Sequence, residues 1–457
     1  MTGLLKIFLT TPYIEKVVEP LYDKPVFVRN SLASLAAFLR HESDFVIRCC
    51  DAKFDSKTKT VLIDEIKAFA PDIIGISSFT YEIAEAGSLA ESIKRILPES
   101  LVIIGGSHVS AIPEETLGEF AGFDIGIIGE GEITLTELCN AVKNNKDIHD
   151  IDGIAYRGEA NKIIVTKKRE KIPDLNILPM PAWDLLPRGR HYFVQTSRGC
   201  RFNCNFCFNP NGNLIRNKSA DKIIEEIMWL MTHMKPDRIS FGDEAFGSNK
   251  DFAFELLDRM IELDIGKQVK WDIQTHVSVI TDDLLLRMKK ANVRSIELGV
   301  ESGNDEILRN MGKGIDKIKI RSAFALAKKH KIRTAAFLIF GHPNETKKTI
   351  WESIRFVSRL NPYEPIFAIM VPFPGTRIAE YVRTSTMGYK YYSRDWSKYR
   401  KQINGSLQLQ TVSNSMLKYY LIIGNLSVFI RNFRLWGLIR FTYINLKNVM
   451  SFFKNFS

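Results

Sequence analysis

The chain has 457 residues, of which 45% are hydrophobic and 25% are charged, and at roughly 150 residues per domain this length accommodates two or three domains with full cores. The net charge of +11 is concentrated towards one end, because residues 396–457 contain nine basic residues and no acidic one. This distribution argues against a basic groove across the whole fold, so no nucleic-acid partner is expected.

Cysteine content and hydropathy indicate where the protein works. Six cysteines in a chain of this length do not form a disulfide framework. The opening residues MTGLLKIFLTTPY predict a first strand, since they lack the long apolar core and small-residue cleavage site of a signal peptide. The most apolar stretch, residues 419–446, is interrupted by Asn and Arg, so no transmembrane span is predicted. We expect a cytoplasmic protein.

Residues 1–142 alternate short apolar runs with amphipathic helical patterns. The runs are rich in β-branched residues, as expected of buried strands. They span residues 4–11, 45–50, 73–78, 101–106 and 124–128, and the helical patterns span residues 31–41, 61–69, 84–97 and 135–143. This alternation predicts a doubly wound, Rossmann-like α/β domain that binds ligands at the carboxyl ends of its strands.

Glycine, serine and polar residues follow the carboxyl ends of three of these strands. They are Ser77, Ser78, Gly105, Gly106, His108, Gly129, Glu130 and Gly131. Glycine allows backbone to approach a ligand closely, and serine hydroxyls can form hydrogen bonds with it. Each glycine pair could instead make only a tight turn, but their occurrence together at one sheet edge favours a bound cofactor.

The phrase GGSHVSAIPEETL, followed by GEGE, resembles the cobalamin-binding domain that precedes many radical S-adenosylmethionine (SAM) domains. The resemblance covers residues 1–142 and implies that the edge described above binds cobalamin. The Asp-x-His-x-x-Gly motif, which supplies a lower axial histidine in some cobalamin proteins, is absent. The resemblance therefore implies a cobalt ion without a histidine ligand from that motif.

Residues 143–190 predict a connector. The segment GIAYRGEANKIIVT is typical of a hairpin with its turn at residues 158–161, and four prolines then indicate an extended linker. Its phrase LPMPAWDLLP resembles the segment that leads into the second domain of the same enzymes.

Strand and helix patterns resume in residues 191–380. Strands are predicted at residues 192–196, 238–242, 269–275, 294–300, 333–340 and 366–371, and helices at residues 220–233, 252–263, 282–291, 315–330 and 346–360. Six parallel strands with helical crossovers predict a partial (β/α)6 barrel with its site at the carboxyl ends of the strands.

Three cysteines follow the first strand of this set in the segment SRGCRFNCNFC. They are Cys200, Cys204 and Cys207. Thiolates at this spacing can reach three irons of a [4Fe–4S] cubane from one loop and leave the fourth iron open. A structural zinc ion is the alternative, but zinc usually takes four ligands, and the other three cysteines belong to the first domain.

The pattern Cys-x-x-x-Cys-x-Phe206-Cys resembles the radical SAM superfamily. The resemblance implies that the cluster binds and cleaves SAM, giving methionine and a 5′-deoxyadenosyl radical. It also implies SAM contacts at Gly242-Asp243-Glu244 for the methionine ammonium, Glu301 or Ser302 for the ribose, and Gly341 near the adenine. Asp243 stands where the family has a second glycine, and each segment could instead be a turn or a helix cap, as Asn344 or Thr346 would be for the next helix.

Residues 381–457 are basic and aromatic, and predict a helical C-terminal region. One interpretation is a helical cap that closes the substrate cavity. The other is peripheral contact with a membrane surface, since aromatic and apolar residues accompany Arg and Lys without acids.

Together, the resemblances imply a cobalamin-dependent radical SAM enzyme that methylates an unactivated carbon of a small-molecule or lipid-like substrate. An electron donor such as flavodoxin or ferredoxin is expected. Three alternatives remain: oxidative cyclisation or rearrangement of a porphyrin-like or lipid-like substrate, methylthiotransfer to tRNA, and a non-catalytic cobalamin or iron–sulfur sensor. Methylthiotransfer would require a second cluster, for which the cysteines of the first domain have no convincing spacing.

Overall fold

The computed structural model describes residues 4–15, 25–401 and 405–444. The chain divides into two compact units: the first comprises Met1–Cys200 with Phe208–Gly242, and the second comprises Arg201–Cys207 with Asp243–Ser457. The domain boundaries expected after residues 142, 190 and 380 remain predictions. None of the helices in the described ranges combines the length and hydropathy that crossing a bilayer requires.

The first unit contains a seven-stranded sheet. Its strands are β1 (Lys6–Thr10), β2 (Val46–Cys50), β3 (Ile73–Ser77), β4 (Leu101–Gly105), β5 (Ile125–Ile127), β6 (Ile154–Arg157) and β7 (Ile163–Val165). Their order is β2-β1-β3-β4-β5-β6-β7, and β1 to β5 pair in parallel, with Ile7 opposite both Ile47 and Ile73. All five strands predicted for residues 1–142 are present.

Helices connect these strands and cover their apolar residues. They are α1 (Asn30–Glu42), α2 (Lys59–Phe69), α3 (Ile83–Ile96), α4 (Ser107–Ala111), α5 (Pro113–Glu119) and α6 (Gly131–Lys143). Ile74 and Ile104 of the sheet and Ile93 of α3 are fully buried. Near-continuous apolar strands and one apolar face per helix therefore produce the core that the sequence pattern indicates.

The hairpin predicted within the connector is present and belongs to the first sheet. β6 pairs antiparallel with β5 and with β7, around a turn at Glu159–Asn161. The remaining elements of the first unit are β8 (His191–Val194), β9 (Ser197–Arg198), β10 (Arg216–Asn217), α7 (Ala220–Trp229) and β11 (Arg238–Phe241). β8 pairs in parallel with β11, and β9 pairs antiparallel with β10.

The second unit contains four parallel strands that are sequential neighbours. They are β12 (Lys270–Thr275), β13 (Val293–Glu301), β14 (Arg333–Phe340) and β15 (Glu364–Ile369). Ile296, Leu298 and Leu338 are fully buried in its core. With β8 and β11, all six strands predicted for residues 191–380 are present.

Helices alternate with these strands. They are α8 (Lys250–Glu262), α9 (Ile265–Gln268), α10 (Asp282–Lys290), α11 (Asp305–Asn310), α12 (Lys317–Lys329), α13 (Lys347–Leu360) and α14 (Arg377–Arg383). Polar side chains at N-caps accept hydrogen bonds from the first turn, as Asn304 does for α11 and Thr346 for α13. Of the two caps that the sequence left open for α13, Asn344 and Thr346, the structure has Thr346.

The C-terminal region is helical, as predicted, and also contains a hairpin that the sequence analysis missed. Its elements are β16 (Tyr389–Tyr392), β17 (Leu407–Leu409), α15 (Asn414–Arg431) and α16 (Leu435–Ile444). α15 packs against α13 and β15, and Gly424 brings it close to the Phe367 ring. The basic residues Lys447 and Lys454 lie outside the described residues.

Candidate cofactor sites

Cys200 lies in the first unit, just after β9. Its backbone N–H donates to the carbonyl oxygen of Gly212 at 2.9 Å, and the Asn209 side-chain amide donates to the Cys200 carbonyl at 3.3 Å. The short β9–β10 ladder therefore continues into a loop that fixes the backbone of this cysteine.

Cys204 and Cys207 lie in the second unit, in a turn closed by a Cys207 N–H donating to the Cys204 carbonyl at 3.1 Å. Asn205 anchors this turn to the end of α11. Its backbone N–H donates to the Met311 carbonyl at 2.9 Å, and its side-chain amide donates to the Asn310 carbonyl at 2.7 Å. These bonds hold both thiols on an ordered loop.

All three cysteines are free thiols. A hydrogen bond with Cys204, followed by desolvation, raises the pKa of the Cys207 thiol well above its usual range; Glu301 adds to this rise and Lys313 opposes it. Within the described ranges, no three His, Cys, Asp or Glu side chains converge where they could share one metal ion. A cubane does not require that convergence, because each thiolate binds a different iron.

A buried ion pair lies at the end of β13. The Lys313 Nζ donates to a Glu301 carboxylate oxygen at 2.5 Å and to the Gly299 carbonyl at 2.7 Å. The two side chains are only 6% and 7% exposed. A Cβ at Gly299 would lie 2.2 Å from the Lys313 Nζ, so glycine at this position leaves room for the pair.

Glu301 carries two further signs of a ligand site. Its φ is +62°, an uncommon conformation for a non-glycine residue, at a shift in the β13–β14 register. Its second carboxylate oxygen, Oε2, is buried and has no hydrogen-bond partner among the described residues. An anionic acceptor held in place by Lys313 is suited to the hydroxyls of a ribose.

Ser302, the other predicted ribose contact, is committed within the protein. Its hydroxyl is fully buried, lies 3.0 Å from the Ser353 hydroxyl, and accepts from the Asn304 N–H at 3.2 Å. Of the two alternatives from the sequence, the geometry favours Glu301.

The turn after β14 contains Gly341 and is held from two sides. The Glu345 carboxylate accepts from the N–H groups of Gly341 and His342 at 2.5 and 3.2 Å, and the Tyr389 hydroxyl donates to the Gly341 carbonyl at 2.9 Å. Desolvation raises the pKa of Glu345 to about 8 against those two bonds. Phe206 meets His342 edge-on at 6.2 Å between ring centroids.

The Gly242-Asp243-Glu244 segment falls at the border between the units. Gly242 ends the first unit in an exposed position, and a Cβ there would make only ordinary contacts with Phe193, at 3.5 Å. Asp243 is buried and Glu244 is half-buried in the second unit. Their contact with a methionine ammonium remains a prediction.

Sequence reasoning missed Lys313 and His276. The His276 ring stacks on Phe202 of the cysteine loop with centroids 3.5 Å apart, and burial lowers its pKa to about 3. The signal for Lys313 is its place between Gly312 and Gly314, which both have positive φ. Two such glycines around one lysine indicate a turn built to direct that side chain.

The predicted cobalamin edge of the first unit is made mostly of backbone. Ser78 donates its N–H to the Gly105 carbonyl at 3.0 Å, and the Ser77 hydroxyl lies 3.1 Å from that of Ser31. Gly106 has a φ of +118°, and a Cβ there would lie 2.2 Å from the Ser78 carbonyl oxygen. By contrast, a Cβ at Gly105 or Gly129 would meet nothing within 4 Å, so both leave open space for a ligand.

Glu130 and Glu132 of the GEGE phrase are held in buried ion pairs. The Glu130 carboxylate bonds Arg198 at 3.0 Å and Arg216 at 2.9 Å, and Glu132 bonds Arg198 at 2.5 Å. Glu130 also accepts from the Ile172 N–H at 2.9 Å. Its carboxylate is therefore committed to the protein, and a cofactor at this position would meet the backbone of Gly129. A Cβ at Gly131 would lie 3.1 Å from the Leu35 side chain, so the contact predicted for Gly131 remains a prediction.

His108 is buried in α4, with 1% of its surface exposed. Desolvation lowers its pKa to about 3, so the ring is neutral at physiological pH. Because the ring is almost completely buried, its contact with cobalamin remains a prediction. The open backbone at Gly105 and Gly129 is the feature of this edge that fits a bulky cofactor.

Comparison with known proteins assigns the two parts of the chain to two different families of domains. Residues 194–357 match the Radical SAM superfamily, and residues 27–139 match the B12 binding domain. An uncharacterized methyltransferase of Pyrococcus horikoshii is 30% identical over 408 residues, covering 87% of this chain and 86% of the relative. The chain belongs to the radical SAM enzymes that carry a B12-binding domain. The predicted cofactors of this radical SAM enzyme, a [4Fe–4S] cluster, SAM and cobalamin, are those of its family.

Two further matches extend the comparison. The anaerobic magnesium-protoporphyrin IX monomethyl ester cyclase of Rubrivivax gelatinosus is 26% identical, covering 80% of this radical SAM enzyme and 68% of the cyclase. The radical SAM methyltransferase TsrM of Kitasatospora setae, solved with cobalamin and a [4Fe–4S] cluster bound, superposes with a TM-score of 0.74 at 15% identity, covering 94% of this chain and 89% of TsrM. The predicted fold class is confirmed.

Proposed function

We propose that this enzyme methylates an unactivated carbon of a small-molecule substrate, using SAM, the cluster and cobalamin. The observation that carries the proposal is the buried Glu301–Lys313 pair, which leaves one carboxylate oxygen of Glu301 for a ligand. The same unit thus combines an acceptor for a ribose with two of the expected cluster ligands.

Cys200, Cys204 and Cys207 would hold the cluster, and the backbone around Gly105 and Gly129 would hold cobalamin. When bound, the cluster supplies the electron that cleaves SAM to methionine and a 5′-deoxyadenosyl radical, and cobalamin supplies the methyl group that the substrate carbon receives.

The chain's own residues bind and orient. Glu301 accepts from the ribose, and Lys313 holds that carboxylate in place in a site largely shielded from water. Gly341 presents backbone to the adenine on a turn that Glu345 and Tyr389 hold rigid. Such positioning matters because a radical must meet its target carbon before it meets another partner.

Oxidative cyclisation is the second candidate, because the chain is similar to several anaerobic magnesium-protoporphyrin IX monomethyl ester cyclases. Methylthiotransfer would need a second cluster bound by thiolates of the first unit. Burial disfavours those thiolates, because it raises the pKa of Cys49 to about 12 and that of Cys50 to about 11, and Cys139 is fully buried. A sensor that does not cleave SAM would not need Glu301 as an acceptor for the SAM ribose. An electron donor of the flavodoxin or ferredoxin type would reduce the cluster.

The test is anaerobic incubation of the reconstituted enzyme with reductant and SAM labelled in its methyl group, with cell extract as the source of substrate. Methyl transfer predicts label in a substrate-derived product together with S-adenosylhomocysteine. Product formation without label in the product would favour cyclisation. Failure to consume SAM in the presence of both cofactors and extract would contradict both candidates.

A further inference from the structure

A groove on the second unit runs between α13 and α15. Its volume is about 620 Å³, and Trp351, Ile423 and Ile430 form apolar walls. Arg355, Arg359 and Arg431 also line it. A groove with an apolar interior and three guanidinium groups fits an amphiphile whose head is anionic.

The three arginines are exposed, and in the described ranges no salt bridge joins any of them to a carboxylate. The sequence offers none nearby on the C-terminal side, since the last acidic residue of the chain is Asp395. On α13, the Glu352 carboxylate accepts a hydrogen bond from the Asn304 side-chain amide. Within the described residues the three arginines of the groove thus have no ion-pair partner, and Glu352 is the one acidic residue that α13 carries beside them.

The groove continues into a cluster of exposed apolar side chains, which we call the apolar rim. Ile430, which also lines the groove, is 62% exposed, Phe433 is 92% exposed and Leu435 is 70% exposed. Trp436 and Ile439 are 84% and 57% exposed, and their spacing of three residues places them on one face of α16. Large apolar side chains at such exposure mark a surface that another phase or partner covers.

The opposite face of α16 is already used. Phe441 lies 6.1 Å from the Phe429 ring of α15, and Gly437 approaches the same ring. Arg434 secures the junction by donating to the carbonyl oxygens of Asn361, Pro362 and Tyr363. The apolar rim is thus presented on an anchored helical hairpin.

We propose that the groove and the apolar rim form a docking face for an anionic lipid bilayer. Arg355, Arg359 and Arg431 would pair with lipid phosphates, and Phe433 and Trp436 would enter the boundary between headgroups and acyl chains. A second copy of the chain is a poorer occupant. An isologous contact would set one arginine cluster against the other, with no acid after Asp395 to separate them.

The test is flotation of the full-length, cofactor-loaded enzyme with phosphatidylcholine vesicles, with and without about 30% phosphatidylglycerol, in about 0.1 M salt. We expect binding to the anionic vesicles and at least about tenfold weaker binding to phosphatidylcholine alone. Phe433→Ser with Trp436→Ser should weaken binding about tenfold or more, and Arg359→Gln or Arg431→Gln about fivefold each.

Matched controls change exposed residues elsewhere in the second unit. Ile318→Ser removes a 76% exposed apolar side chain from α12, and Lys290→Gln removes an exposed charge from α10; neither should alter binding. Equal binding to both vesicle types, absence of binding, or controls as damaging as the rim variants would overturn the proposal. So would a dimer by light scattering that the Phe433→Ser, Trp436→Ser variant abolishes. Unchanged iron content and melting temperature would establish that each variant is folded.

Discussion

The two predicted ligand sites of this enzyme differ in the groups that they offer to a ligand. The edge of the first unit presents open backbone at Gly105 and Gly129, while its carboxylates Glu130 and Glu132 are committed to arginines. The second unit instead offers a buried charged side chain, Glu301, with an oxygen that no described residue occupies. We therefore expect the first site to recognise the shape of its ligand and the second to recognise hydroxyl groups by charge.

This difference predicts different responses to substitution. Ligand binding at an edge made of backbone should change little when a side chain is removed. It should weaken when a larger side chain replaces a glycine, because the glycine provides the space for the ligand. A buried ion pair behaves in the reverse way, since removing one partner leaves the other charge buried without compensation. The variants below test each half of that contrast, beginning with the cluster loop.

The largest effect is expected at the cluster. Cys204→Ala should reduce iron from about four to well below one per anaerobically reconstituted chain and abolish SAM cleavage, because a cubane bound by two thiolates is labile. Colorimetric iron analysis and chromatographic detection of 5′-deoxyadenosine measure both effects. Cys49→Ala, which removes a thiol from β2, should keep full iron; equal loss in the two variants would contradict the assignment.

The next effect is expected at Glu301. Glu301→Gln should weaken SAM binding by about ten- to a hundredfold, since it removes a charged acceptor and leaves the Lys313 ammonium buried beside a neutral amide. Equilibrium dialysis of SAM against reconstituted enzyme measures the change.

Ser302→Ala is the matched comparison. It should lower the free energy of unfolding by about 1 kcal/mol, since the Ser302 hydroxyl bonds Ser353 and Asn304. SAM affinity should stay within about twofold. A larger loss of SAM binding in Ser302→Ala than in Glu301→Gln would reverse the choice between them.

Added bulk tests the first unit. Gly105→Ala should weaken cobalamin binding about tenfold with little change in melting temperature, because its Cβ points into open space. Gly106→Ala should destabilise the fold by about 1–3 kcal/mol, since this residue has a positive φ and its Cβ would collide with the Ser78 carbonyl. Spectrophotometric titration with hydroxocobalamin and thermal unfolding separate the two. If the folded Gly105→Ala variant binds cobalamin normally, the assignment of the cobalamin site to this edge is wrong.

The smallest effect is a pH dependence. Burial raises the pKa of Glu345 from 4.5 to about 8, so between these values the folded chain keeps a proton that the unfolded chain has released. The contribution of Glu345 to stability therefore falls as pH rises, by up to about 1.4 kcal/mol per pH unit. Glu345→Gln keeps an acceptor for Gly341 and His342 without the titration. Its melting temperature relative to wild type should rise from pH 6 to pH 8; a constant difference would contradict the raised pKa.

Local pattern was enough to predict the repeating strands and helices and the cluster loop. The strand at residues 333–340 was predicted with the bounds that β14 has. Residues 335–340 are all apolar and include two phenylalanines and one isoleucine, in a short run followed by a polar turn, which is a local property. The β16–β17 hairpin was missed because its strands are separated by 14 residues, so no short turn marks the pairing.

The parts that sequence could not provide depend on distant partners. Lys313 lies 106 residues beyond Cys207, and only the fold brings its charge near that thiol. Glu130 looked like a ligand-facing residue, yet Arg198 and Arg216 occupy its carboxylate from positions 68 and 86 residues away. Periodicity and spacing carry no information about such pairs, which depend on how the chain packs.

The most direct test of this account is simultaneous analysis of iron and cobalt in enzyme reconstituted anaerobically with hydroxocobalamin. We predict about four irons and one cobalt per wild-type chain, and in Cys204→Ala a loss of iron with retention of cobalt, because the predicted cobalamin edge consists of residues of the first unit and Cys204 belongs to the second. Wild-type protein that holds iron without cobalt, or a Cys204→Ala variant that loses both metals while remaining folded, would contradict it.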